Sequence, residues 1–175
     1  MSVVAYGHAG SVQSRGVILI HSCPRALSPH VEWALATVLG SELSVQWAPQ
    51  PLEHASVRAE VIWMGAQGTG AQLASALLSF KNVRYEVTED TSVGHEGERF
   101  AATPSLGLFR ATIGQFGDVM IHEDRLRSAI TQADATGESI AEDIARLLGQ
   151  PWDAELEAFR VVHADTNVRV LHHVS

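Results

Sequence analysis

The sequence predicts an α+β fold, and three observations carry that reading. Its first half runs strand, helix, strand, strand, helix, strand between residues 17 and 88; each segment has a matching hydrophobic period; and both helices carry start signals. That order is the split βαβ, or ferredoxin-like, sandwich, in which both helices lie on one face of the sheet. Residues 1–15 are expected as a flexible N-terminal arm. Residues 16–175 are expected as a single compact domain, a ferredoxin-like half over 16–90 with a hairpin-and-helices half over 100–175 packed on it.

Val17, Ile18, Leu19 and Ile20 are apolar at every position, the pattern of a strand covered on both faces. Ser28 and Pro29 open the first helix, the serine as a cap and the proline in the first turn. Val31, Ala34, Leu35, Val38 and Leu39 fall on one helical face, and Gly40 supplies the stop. A second strand is expected over 43–47, ended by Pro49 and Pro51, because paired prolines oppose a ladder. The third runs over 57–64 into the glycine-rich turn 65–70. Thr69 and Gln72 have capping-box spacing, and Leu73, Leu77 and Phe80 form the buried stripe of the next helix. Val83, Tyr85 and Val87 alternate with Arg84, Glu86 and Thr88, a strand with one wet side.

The second half begins after a polar loop over 90–98. A hairpin is expected over 106–113 and 118–121 around Gly114 and Gly117. Helices follow over 123–132, from Thr136 to Gly149, and briefly around Trp152, Leu156 and Phe159. Alternation over 168–172 predicts a final strand. In the expected sheet, the face away from the helices carries Ile18, Ile20, Ile62 and Met64 beside Gln46, Arg58, Glu60, Arg84 and Glu86. Such a mixed surface needs a cover, and the apolar faces of the second half are the expected one.

Composition narrows the function classes. The chain has 175 residues, 46% hydrophobic and 18% charged, enough apolar material for a core. Its formal charge of -8 argues against nucleic acid and anionic membrane as partners. The single cysteine, Cys23, cannot form an internal disulfide, which fits a reducing, cytoplasmic setting. No apolar run is long enough to span a bilayer, and the first residues lack the pattern of a signal peptide.

Three groups of residues could carry chemistry. The turn 65–70 joins a strand to a helix N-terminus, where free amides and the helix dipole suit an acidic or nucleotide-bearing ligand; Gly65, Gly68, Thr69 and Gly70 are its candidates. The spacing is neither the dinucleotide fingerprint nor the Walker loop, so a tight turn with Thr69 as an ordinary cap is the plainer reading. His21, Cys23 and His30 sit around the end of one strand and the start of a helix, where a thiolate with an imidazole base could work as a nucleophile. A lone cysteine is also an ordinary core residue. Arg84 and Glu86 could orient a ligand or simply pair across strands. No metal site and no cofactor are expected. Trp33, Trp152 and the edge formed by Pro49, Gln50 and Pro51 are the candidates for partner contact, since exposed tryptophans are enriched at interfaces.

The segments GVILIHS (16–22), SPHVEWA (28–34), WAPQP (47–51), GAQGTGAQLASAL (65–77), RYEVTE (84–89) and LGQPWDAELEAFR (148–160) resemble an actinobacterial family of unknown function, DUF3145. The resemblance covers residue 16 onward, and the loop over 91–100 departs most from the family pattern. It implies a cytoplasmic actinobacterial protein in the setting of acyl-CoA or fatty-acid metabolism, and it brings no catalytic residue with it. The expected function is a small non-catalytic interaction or accessory protein with a protein partner, possible enzymes of that metabolism among them. The alternatives are a ligand-sensing domain using the turn 65–70, and an enzyme using Cys23 with His21 or His30.

Overall fold

The computed structural model describes residues 3–6, 13–137 and 139–171, and the side chains of 13–137 and 139–162. It is an α+β protein built on one mainly antiparallel sheet. The long strand β2 (Gln13–Pro24) is central, antiparallel to β4 (Ser56–Ala66) on one side and to β5 (Arg84–Glu89) on the other. From β5 the sheet continues through β6 (Gly97–Thr103), β7 (Gly107–Ile113) and β8 (Val119–Met120). The far edge of β4 is shared: β3 (Ala48–Pro49) pairs with Val57 and Arg58, and β1 (Val3–Tyr6) runs parallel to Val61–Met64.

That shared edge corrects two expectations. Val3–Tyr6 belongs to the sheet, and β2 starts at Gln13, so these residues are strand where a free arm was expected. Residues 43–47 make no ladder. Extending the Ala48–Arg58 register would set Val45 opposite Val61, and β1 already holds that position. Leu43 and Val45 are still buried on alternate positions, as in a strand, though the segment joins no ladder. Pro49 lies within β3 rather than ending it, as an edge strand allows.

Two helices cover the front face. α1 (Ser28–Leu39) buries Val31, Leu35 and Leu39, and α2 (Thr69–Leu78) buries Leu73, Ala74 and Leu77. Both pack on Ile18, Ile20, Val61, Trp63, Tyr85 and Val87. Ile18 and Ile20 were expected on the back face. A strand apolar at every position has no alternation to fix its facing, so the register with Val61 and Val87 sets it instead. Val17 and Leu19 take the back face and are half-buried.

The caps also differ from expectation. α1 follows a turn of 3-10 helix, and Ser28 is its first residue; the Ser28 hydroxyl donates backwards to the Arg25 carbonyl. Gly40 closes α1 in the left-handed region, φ 64°. The N-cap of α2 is Gly68, with Thr69 already helical and no capping box.

The back face is covered from the second half. α3 (Glu123–Thr136) and α4 (Ile140–Leu147) lead into α5 (Gln150–Leu171), whose Leu156 is fully buried on Ala101, Phe109 and Ala111 beside Trp152. The expected hairpin forms between β7 and β8. β6 was not expected at all. Thr136 ends α3 rather than opening α4, because Gly137 turns the chain at φ 72° and Ser139 is the next cap. The short helix at Trp152 and the strand over 168–172 are replaced by the continuous α5, helical through Leu171; His172 lies outside the described residues.

Candidate functional site

Glu86 is the centre of a polar cluster between the back of the sheet and α5. Alternation along β5 puts Tyr85 and Val87 in the front core, so Glu86 must emerge on the back, where it is 6% exposed. His21 Nε2 lies 2.9 Å from Glu86 Oε2. Arg99 Nη2 donates to Oε1 at 2.8 Å, and Arg160 donates from Nε at 3.0 Å and from Nη2 at 2.5 Å. Asp153 sits between the two guanidiniums: Arg160 Nη2 is 2.7 Å from Asp153 Oδ1, and Arg99 bonds the same oxygen.

An ionised carboxylate only accepts, so His21 donates from Nε2. Burial works against the charge of Glu86, but hydrogen bonds from His21, Arg160 and Arg99 outweigh it and hold the carboxyl far below its ordinary value. The same burial opposes charge on Arg160, and its bonds to Glu86 and Asp153 raise it above an already high value. Glu86, Arg99 and Arg160 therefore stay charged at neutral pH. Arg84 extends it, with Nη1 3.0 Å from Glu53 Oε1 and its guanidinium 5.1 Å from the centre of the Phe159 ring. Glu53 in turn accepts from Ser22. Arg58 is buried and Glu60 half-buried on the same face.

His21, Cys23 and His30 do not converge. A bulge between Ile20 and Ser22 sends His21 to Glu86 on the back, while Cys23 is wholly buried in the front core. Burial raises its thiol pKa to about 11. His30 is exposed on α1. No group of His, Cys, Asp and Glu with metal-binding geometry occurs among the described residues.

The turn 65–70 already holds an anion from its own chain. Glu89, 4% exposed at the end of β5, accepts from Gly68 N and from Gly70 N, each at 2.8 Å. These are the amides an external carboxylate or phosphate would use. Gly65 and Thr69 are buried against each other: a Cβ at Gly65 would lie 2.8 Å from Thr69 Oγ1.

The expected contact residues separate cleanly. Trp33 is 72% exposed. It lines an open groove of about 730 Å3 with Pro29, Ala36, Leu43 and Trp47, edged by Glu32 and Glu42. Trp152 is half-buried instead, its indole donating to Gly107 O at 2.9 Å and packed 5.1 Å from Phe109. Pro49 and Pro51 are exposed, but Gln50 between them is buried and donates to His21 O at 2.6 Å. That bond ties the edge to the Glu86 cluster.

Arg84 and Glu86 were legible as members of this site; Arg99, Asp153, Arg160 and Glu53 were not. A signal for two of them existed. Asp153 and Arg160 are seven residues apart, two helical turns, and flank the buried Leu156 on one face of α5.

No helix of the described residues is long and apolar enough to cross a membrane. No curated protein and no solved structure matches the chain. The family model for DUF3145, described as a protein of unknown function, matches residues 17–173. With nearly all of its length inside that match, the chain belongs to the DUF3145 family.

Proposed function

We propose that this protein is a non-catalytic accessory protein that holds a protein partner in the groove between α1 and residues 42–47, with Trp33 as the anchor. The exposure of Trp33 carries the reading. A tryptophan 72% open to water beside a groove of about 730 Å3 is apolar surface without a cover of its own chain. The charges at the groove, Glu32 and Glu42, are acidic, and the whole chain is at -8. The fitting partner segment is thus apolar with basic flanks.

The residue types that could do chemistry are engaged internally: Cys23 in the core, His21 on Glu86, and the α2 amides on Glu89. An acidic ligand at the turn 65–70 would have to displace Glu89. The order β5, β2, β4, β3, with α1 and α2 on one face, supports a ferredoxin-like reading of residues 16–90. A cytoplasmic setting rests on the single cysteine and the family resemblance, and a place in acyl-CoA or fatty-acid metabolism on the resemblance alone.

The test compares wild type with Trp33→Ala as bait in a native lysate. A partner retained near one-to-one by wild type should be lost from Trp33→Ala at unchanged melting temperature, and should bind more weakly as salt rises. Equal retention by both proteins removes the groove from the account.

A further inference from the structure

A second cleft, lined by β7, α3, α4 and α5 and separate from the Trp33 groove, has the makings of a small-molecule site. It encloses about 510 Å3, inside the roughly 300–1,000 Å3 usual for such sites. Phe109 and Trp152, ring centres 5.1 Å apart, give it an aromatic lining next to Leu147.

Of the three arginines in its lining, two stand outside ion pairs among the described residues, as Arg25 and Lys81 do elsewhere. Arg15, Arg84, Arg99, Arg110, Arg127 and Arg160 each stand in an ion pair. Arg125 and Arg146, both lining the cleft, form none among the described residues, in a chain with an excess of carboxylates. Asp143 lines the same cleft, and its Oδ2 is shut off from solvent with no hydrogen-bond partner among the described residues. Asp143 is half-buried, so a ligand in the cleft would meet its other oxygen, Oδ1, with Oδ2 out of reach behind it. Asp143 and Arg146 are three apart on α4, so they share a face at about 5–6 Å between Cβ atoms, yet they do not pair. Asp124 adds a second carboxylate to the lining.

A donor for Asp143, an acceptor for two arginines and an apolar body for the aromatic rings are together the description of one kind of molecule. We propose that this cleft binds a free amino acid with a bulky apolar side chain. Its carboxylate is held by Arg146 and Arg125, its ammonium by Asp143, and its side chain lies against Phe109 and Trp152. The acid and the base of α4 then meet the opposite charges of the ligand, and each bond is charge-assisted.

Titration of the full-length protein with L-phenylalanine, L-tryptophan and L-leucine, followed by calorimetry and amide NMR, tests this. At least one should bind saturably, shifting the amides of 143–149 and Trp152. The corresponding amine without the carboxylate, and the N-acetyl derivative without the ammonium, should each bind about tenfold more weakly or worse, the loss of one charge-assisted contact. Arg146→Gln should weaken the amino acid by a similar factor but leave the amine unaffected, and Asp143→Asn should leave the N-acetyl derivative unaffected. The proposal is overturned if none of the three binds, if the neutralised analogues bind equally well, or if both variants keep wild-type affinity. The analogue series stands even if a variant fails to fold.

Discussion

A thiol attacks as its thiolate, so what Cys23 can do depends on how readily it ionises where it sits. It is wholly buried in the front core, and burial pushes its pKa to about 11. At pH 8 only about one molecule in a thousand would carry the thiolate. Iodoacetamide is therefore expected to leave Cys23 unmodified in the folded protein and to alkylate it promptly once denaturant is added. Rapid native labelling near pH 7 would refute the burial argument. The sequence puts His21 and Cys23 two residues apart, which in a regular strand means the same face. The bulge after Ile20 breaks that parity, sending one side chain to each face. Nothing in the local residue types announces the bulge. Trp33 was different, because its place off the apolar stripe of α1 already marked it as exposed.

At the scale of elements, α2 begins where β5 ends, and Gly70 is the point of contact. Replacing a helical glycine by alanine ordinarily stabilises by about 0.4–1 kcal/mol when the backbone permits it. Here the new Cβ would lie 2.8 Å from Glu89 Oε2 and 3.0 Å from Glu89 Cβ. The carboxylate would have to leave the amides of Gly68 and Gly70, and bonds to a charged group are worth about 1.5–3 kcal/mol each. The second effect is larger, so Gly70→Ala is expected to destabilise by about 1–3 kcal/mol in urea denaturation. In a Glu89→Ala background the same substitution should cost markedly less, because only the 3.0 Å contact with the remaining Cβ is left. An equal loss in both backgrounds would place the clash elsewhere. Glu89 caps α2 from a strand 19 residues on from Gly70, and that is why a capping box was read at Thr69: local spacing cannot show a cap supplied by tertiary contact. Strands with clean alternation were legible, β5 most plainly. β6 was not, because Gly97, Arg99 and two alanines give it neither period nor strong strand propensity. The end of α5 was misread for the converse reason. A few alternating residues after Phe159 look like a strand, but extending an existing helix costs no new nucleus.

Across the whole molecule the two faces of the sheet are held by different physics. The front is a continuous apolar core under α1 and α2, whereas the back has a small apolar cluster around Leu156 and the charged cluster at Glu86. That cluster joins β2, β5 and β6 to α5, so it ties the first half of the chain to the second. A buried ion cluster is weak evidence of net stabilisation, but removing one member strands the others. Glu86→Gln leaves Arg99 with Asp153, and Arg160 with Asp153 and the more exposed Glu157, and is expected to cost about 3–5 kcal/mol at pH 7. The pH dependence supplies a check that a mere packing defect would not reproduce. Burial opposes the charge of Glu86, but its hydrogen bonds prevail, so its folded pKa lies well below the unfolded one. The unfolded chain therefore holds that proton more tightly, and stability rises with pH through this window. The contribution is fully present above the unfolded value of about 4.3 and is lost as pH falls towards the folded value. Glutamine does not titrate. The stability gap between wild type and Glu86→Gln should then be widest near neutrality and shrink steadily below about pH 4.3, measured by urea denaturation at each pH. A gap that stays constant down to pH 3 would mean that Glu86 is not the ionised link between the halves, and that Leu156 and its apolar neighbours hold α5 to the sheet without it.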